Sequence, residues 1–172
     1  MLQIGRTQAS EDLVDLLLAC HGRIRSFVAL AIAIGERADA TDDEVAQASA
    51  SVHRYFSIAL PLHVEDEELG ILSRLHGRTP EVDAALDRMC DEHDHHTAPL
   101  RRLLALCTAL SVAPGDLAAR AALAEVASEL ATEFGPHLRA EETIVFPAIS
   151  ALLSADDQRA IVRELRARRQ AP

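Results

Sequence analysis

The chain has 172 residues, of which 49% are hydrophobic and only 3% aromatic, with no Trp and a net charge of −10. That length suits one domain with a sizeable core, and the acidic balance argues against nucleic acid as a partner. The longest purely apolar run, "FVALAIAI" at 27–34, is too short to span a membrane.

Ala, Leu, Arg, Asp and Glu dominate, a helix-forming mixture, and strand signals are missing. Ser10, ahead of Glu11 and Asp12, reads as the N-cap of a first helix carrying Leu13, Leu16, Leu17, Ile24, Phe27, Val28 and Ile32 to an end near 35–39. Thr41-Asp-Asp-Glu44 is a capping box for a second helix to about Leu75. "HGRTP" breaks the chain, and Pro80 suits the first position of a third helix to about Val112. After "APGD", Asp116 caps a fourth to about Leu153, and Ser154 opens a short fifth over about 154–169. These elements predict a single all-α domain over 1–172, an up-down-up-down four-helix bundle over about 10–153 followed by a short C-terminal helix. Interior prolines at 61, 99, 136 and 147 predict kinks or local widening. The basic stretch "RAIVRELRARR" reads as arginines complementing a helix C-terminus. An N-terminus without a signal-peptide pattern and three scattered cysteines (Cys20, Cys90, Cys107) lead us to expect a cytoplasmic protein.

Two stretches carry the chemistry. "HVEDEELGILS" starts at His63 and "HLRAEETIVFP" at His137, and both begin His-x-x-x-Glu-Glu. Four residues is about one helical turn, so His63/Glu67 and His137/Glu141 each place an imidazole beside a carboxylate. A lone histidine precedes each pair on the previous helix, His21 in one half and His93 in the other, at closely matched spacing. Two buried carboxylates among four imidazoles call for cations. The set suits a pair of first-row metals: Glu67 and Glu141 bridging, His21 and His63 on one ion, His93 and His137 on the other. Two iron ions joined by an oxo or hydroxo group are the leading expectation, with manganese as the alternative.

The segments "LLACHGRI", "LPLHVEDEELGILSRL", "MCDEHDHH" and "HLRAEETIVFPAI" resemble the hemerythrin-like (HHE cation-binding) family, bacterial type, over about 10–153. The resemblance implies a four-helix bundle with a non-haem di-iron centre that binds O2 or related small ligands. Oxygen-carrying members have a second histidine on the third helix one turn after the first. Here that place is Thr97, with His96 one residue earlier. This departure favours binding and redox processing of peroxide, O2 or NO, including catalase-like or NO-related turnover. The alternatives are an O2, NO or iron sensor without turnover and a metal-free helical interaction domain.

Tyr55 and His96 are further candidates as ligands or supports of ligands, and Glu68 and Glu142 as supports of the imidazoles. His53 and His76 read as solvated, and Cys20 and Cys90 as small buried thiols.

Overall fold

The structure, a computed structural model, describes residues 12–170. They form five helices and no strand. Helix α1 spans Leu13–Glu36, α2 spans 42–75, α3 spans Pro80–Val112, α4 spans 117–152, and α5 spans Ala155–Gln170.

Local chemistry sets the boundaries. Ser10 lies outside the described residues, and Asp12 caps α1 by accepting from Val14 N at 2.9 Å. The Thr41–Glu44 capping box closes in both directions, satisfying two backbone donors that the first turn of α2 leaves free. Gly77, at φ 84, takes the left-handed turn that stops α2. Thr79 caps α3 with Pro80 in its first turn, and the Asp116 carboxylate accepts from Ala118 N and Ala119 N at the start of α4.

Helix α1 packs on α2 and α4, and α3 packs on the same two. By length and composition α1 would suffice to cross a membrane, which the short apolar run at 27–34 did not suggest. Here Leu17, Ile24, Val28, Ala31 and Ile34 are buried within the protein. At the far end of α1 the buried Arg120 guanidinium donates to Ile34 O at 2.9 Å and to Arg37 O, satisfying carbonyls that the helix end leaves open.

Two of the helices are not α-helical throughout. Tyr55–Ala59 and Asp66–Leu72 in α2, and Glu141–Val145 in α4, are wider π-helical turns. Two of them directly precede an X-Pro step, at Pro61 and Pro147. Leu60 N reaches back to Tyr55 O and Phe146 N to Glu141 O. The extra residue in the turn accommodates a ring that lacks a donor and crowds the carbonyl four residues back. Pro99 and Pro136 lie inside runs that stay α-helical, so widening there does not occur.

The core is divided. One apolar cluster holds Ile24, Leu60, Leu103, Phe134 and Leu138; the other holds Leu13, Leu17, Ile71, Met89 and Val145. His21, His63, His93 and His137 fall on their helices at the junction of the two clusters. The polar layer is therefore sandwiched between hydrophobic ends.

Candidate metal centre

Each long helix contributes to the junction. His21 comes from α1, His63 and Glu67 from α2, His93 from α3, and His137 and Glu141 from α4. Glu67 sits in the second widened turn of α2, and Glu141 opens that of α4. Such turns change the direction of a side chain relative to the preceding helix, and they recur at functional sites.

The carboxylates are 1% and 2% exposed. Glu67 turns Oε1 to His63 Nε2 at 3.2 Å and to His21 Nε2 at 3.9 Å, while Oε2 faces His93 Nε2 at 3.4 Å. Glu141 turns Oε2 to His21 Nε2 at 3.0 Å and Oε1 to His137 Nε2 at 3.1 Å. Each carboxylate thus offers one oxygen to each histidine pair. The donor atoms fall into two groups that could each hold a metal ion, one of His21, His63, Glu67 and Glu141, the other of His93, His137 and Glu141.

None of these close approaches has the geometry of a hydrogen bond. All four carboxylate oxygens, His21 Nε2 and His63 Nε2 are buried without a hydrogen-bond partner. Leaving that many polar atoms unsatisfied in an apolar interior is costly, and a cation among them removes the cost. The donor set of imidazole nitrogens and carboxylate oxygens suits first-row metals. The residues therefore fit a metal pair.

Protonation shows the same stress. Burial works against the charged form of His21, yet contacts with Glu141 and Glu67 carry its pKa up to about 10. His93 likewise rises to about 9, with Glu67 overriding burial. Burial and the neighbouring charge of Glu67 push the Glu141 carboxyl up, while the surrounding histidines overcome burial and hold Glu67 low. Without metal, protons supply the positive charge that the carboxylates need.

The outer nitrogens are also held. His21 Nδ1 meets Glu142 Oε1 at 2.9 Å, an oxygen that also accepts from Arg25 Nη2 at 2.8 Å. His93 Nδ1 meets Glu68 Oε1 at 2.9 Å, and His137 Nδ1 meets Glu92 Oε2 at 2.8 Å. A carboxylate on the outer nitrogen fixes ring orientation and leaves the inner nitrogen free to ligate. The glutamate after each His-x-x-x-Glu pair therefore holds the lone histidine of the other half. Sequence reasoning proposed Glu68 and Glu142 but missed Glu92. The signal available was its place directly before His93.

The fourth ring breaks the symmetry. His63 Nδ1 has no hydrogen-bond partner. The position before His21, equivalent to Glu92, is Cys20, whose thiol lies against His63 and accepts from Arg23 Nη2 at 3.3 Å.

Other candidates fall outside the two groups of donor atoms. The Tyr55 hydroxyl donates to Cys20 O at 3.4 Å, its ring stacks on Phe27, and burial pushes its pKa up to about 12. His96 is buried beside the centre, its ring centroid 5.0 Å from that of His137, and burial with the His137 and His93 charges pushes its pKa down to about 4. Thr97 is exposed and donates to His93 O at 3.4 Å. His76 is exposed as expected, whereas His53 is half-buried. Of the thiols, Cys20 and Cys107 are buried and Cys90 is half-buried, all three free. The C-terminal arginines do more than complement a dipole, because Arg168 and Arg169 both bind the buried Asp66.

Fold and site together define a helical protein with an interior histidine–carboxylate cluster able to hold metal. The chain belongs to the hemerythrin HHE cation binding domain family, whose model matches residues 12–108. The matched stretch includes His21, His63, Glu67 and His93 and ends before α4. No curated protein matches the chain at a significant level.

Proposed function

We propose that this chain is a cytoplasmic, non-haem di-iron protein that binds and redox-processes a small ligand (peroxide, O2 or NO) at a carboxylate-bridged centre. In this reading the four long helices run up-down-up-down around the centre. The carrying observation is that Glu67 and Glu141 each turn one oxygen toward each histidine pair. His21, His63, His93 and His137 would complete the ligand set, and the bound metals would supply electrons and Lewis acidity to the ligand.

In this reading the ligand would sit in a pocket made by the chain's own residues. A cavity of about 30 Å³ beside the cluster is lined by His63, His93, His96, His137 and apolar side chains including Leu60 and Phe134. That space suits a molecule of two or three atoms. Its apolar walls limit water around the histidines and strengthen polar contacts within it. His96, held neutral by its surroundings, can offer a ring N–H to a ligand in this cavity. Glu142, Glu68 and Glu92 keep three of the rings in place from outside.

Metal analysis of protein produced with supplemental iron tests the reading, with about two irons per chain expected. Peroxide should then change the optical spectrum without a phenolate band, because Tyr55 is committed to Cys20 O. A folded, active, iron-free protein refutes the di-iron reading. Turnover that survives Glu67→Ala and Glu141→Ala refutes processing at this site, and stable reversible ligand binding without turnover favours a sensor or binding module.

A further inference from the structure

Asp66, Glu67 and Glu68 open one widened turn of α2, and each takes a different kind of partner. Glu67 faces the cluster and Glu68 holds His93. Asp66 points away from the centre and is nevertheless fully buried. Its Oδ1 accepts from Arg168 Nε at 2.7 Å and its Oδ2 from Arg169 Nη2 at 2.7 Å. Both arginines lie in the last turn of α5.

The rest of that turn also meets α5. A Cβ on Gly70 would lie 3.4 Å from Ile161 Cγ2 and 3.6 Å from Arg168 Nη2, so the helix and the turn approach closely. Arg74 donates to Gly70 O at 2.8 Å and pairs with Glu164 of α5 at 2.6 Å. Ile161 and Leu165 are buried beneath α5. The turn that carries Glu67 to the cluster is therefore covered on its other side by the C-terminal helix, which lies beyond the family match at 12–108.

We propose that Arg168 and Arg169 are positioning residues for the metal centre. Through Asp66 they hold the widened turn of α2 so that Glu67 faces the histidines, and docking of α5 and metal binding are thermodynamically linked. A buried carboxylate held by two guanidiniums is firmly placed, because each oxygen has its own donor and losing both would leave its buried charge uncompensated. Linkage is reciprocal: a docked α5 tightens metal binding, and bound metal tightens docking. The other carboxylate of the cluster has no such anchor, since the residue before Glu141, in the place of Asp66, is Ala140. This inference rests on the metal-binding reading above.

Hydrogen exchange of the full chain, metal-free and iron-loaded, tests it in the wild type and in R168Q/R169Q. Iron should slow exchange of 155–170 in the wild type by about tenfold or more. The double variant should exchange faster at 66–72 with 141–145 unchanged, and should lose iron to a chelator about 10- to 100-fold faster, the range typical of residues that support metal ligands. Arg159→Gln, which removes an exposed pair with Asp156 within α5 and touches neither Asp66 nor α2, should release iron at close to the wild-type rate. Iron-loaded protein whose α5 exchanges as in the metal-free state overturns the linkage, as does a double variant that keeps its iron. If the double variant does not fold, the wild-type comparison decides alone. Failure to take up iron overturns the functional reading itself, and metal content reveals that before exchange is measured.

Discussion

Protons and metal compete for the same nitrogens, so metal affinity should depend on pH far above the range of an ordinary histidine. A free imidazole titrates near pH 6.5, and above that its affinity for metal is almost flat. In this protein His21 and His93 keep their protons to about 10 and about 9, because Glu141 and Glu67 outweigh burial. Loading two metals must displace both protons. Each displaced proton changes apparent affinity about tenfold per pH unit, so the two-metal affinity should rise about 10,000-fold between pH 6.5 and 8.5. Anaerobic calorimetric titration with Fe(II) at pH 8, in two buffers of different ionisation heat, counts the protons directly. At least about two should leave per metal pair, since His63 and Glu141 are pushed up as well. Affinity that is flat above pH 6.5, with no proton release at pH 8, would refute the electrostatic account. The metal-free protein should respond in the opposite sense. A histidine whose pKa is raised by folding contributes its full stability below about pH 6.5 and loses it as pH rises through the folded value. The metal-free Tm should therefore fall as pH rises from about 6.5 to about 9–10 and level off above, while the metal-loaded protein is spared.

Glu92→Gln removes the charged acceptor from His137 Nδ1 and should weaken metal binding by about 10- to 100-fold. Glu129→Gln, which loosens only an exposed pair with Arg102, is the control, and equal affinities in a metal titration would remove Glu92 from the supporting set. Gly35→Ala places a Cβ 2.5 Å from both Arg120 O and Ala124 Cβ, where α1 meets α4. Such overpacking costs about 1–3 kcal/mol, or about 3–10 °C in Tm for a chain of this size. An unchanged melting curve would show that the two helices do not approach so closely.

The sequence determined what depends on near neighbours. Thr41 with Glu44, Pro80 and Asp116 fixed helix starts, because caps act within one turn. The two His-x-x-x-Glu pairs were legible because residues four apart share a helix face. The all-helical class followed from composition and apolar periodicity over many residues. Tertiary structure alone decided which glutamate serves which ring. Glu142 reaches His21 across 121 residues of sequence, and Glu92 reaches His137 across 45. Tyr55 is a candidate ligand or support by sequence, but packing commits its hydroxyl to Cys20 O. From sequence the arginines of α5 read as complements to a helix C-terminus, whereas packing sets two of them on the buried Asp66, 102 and 103 residues away. Side-chain spacing along one helix is set by its own geometry, whereas the rotation of one helix against the next is set by how the whole core packs.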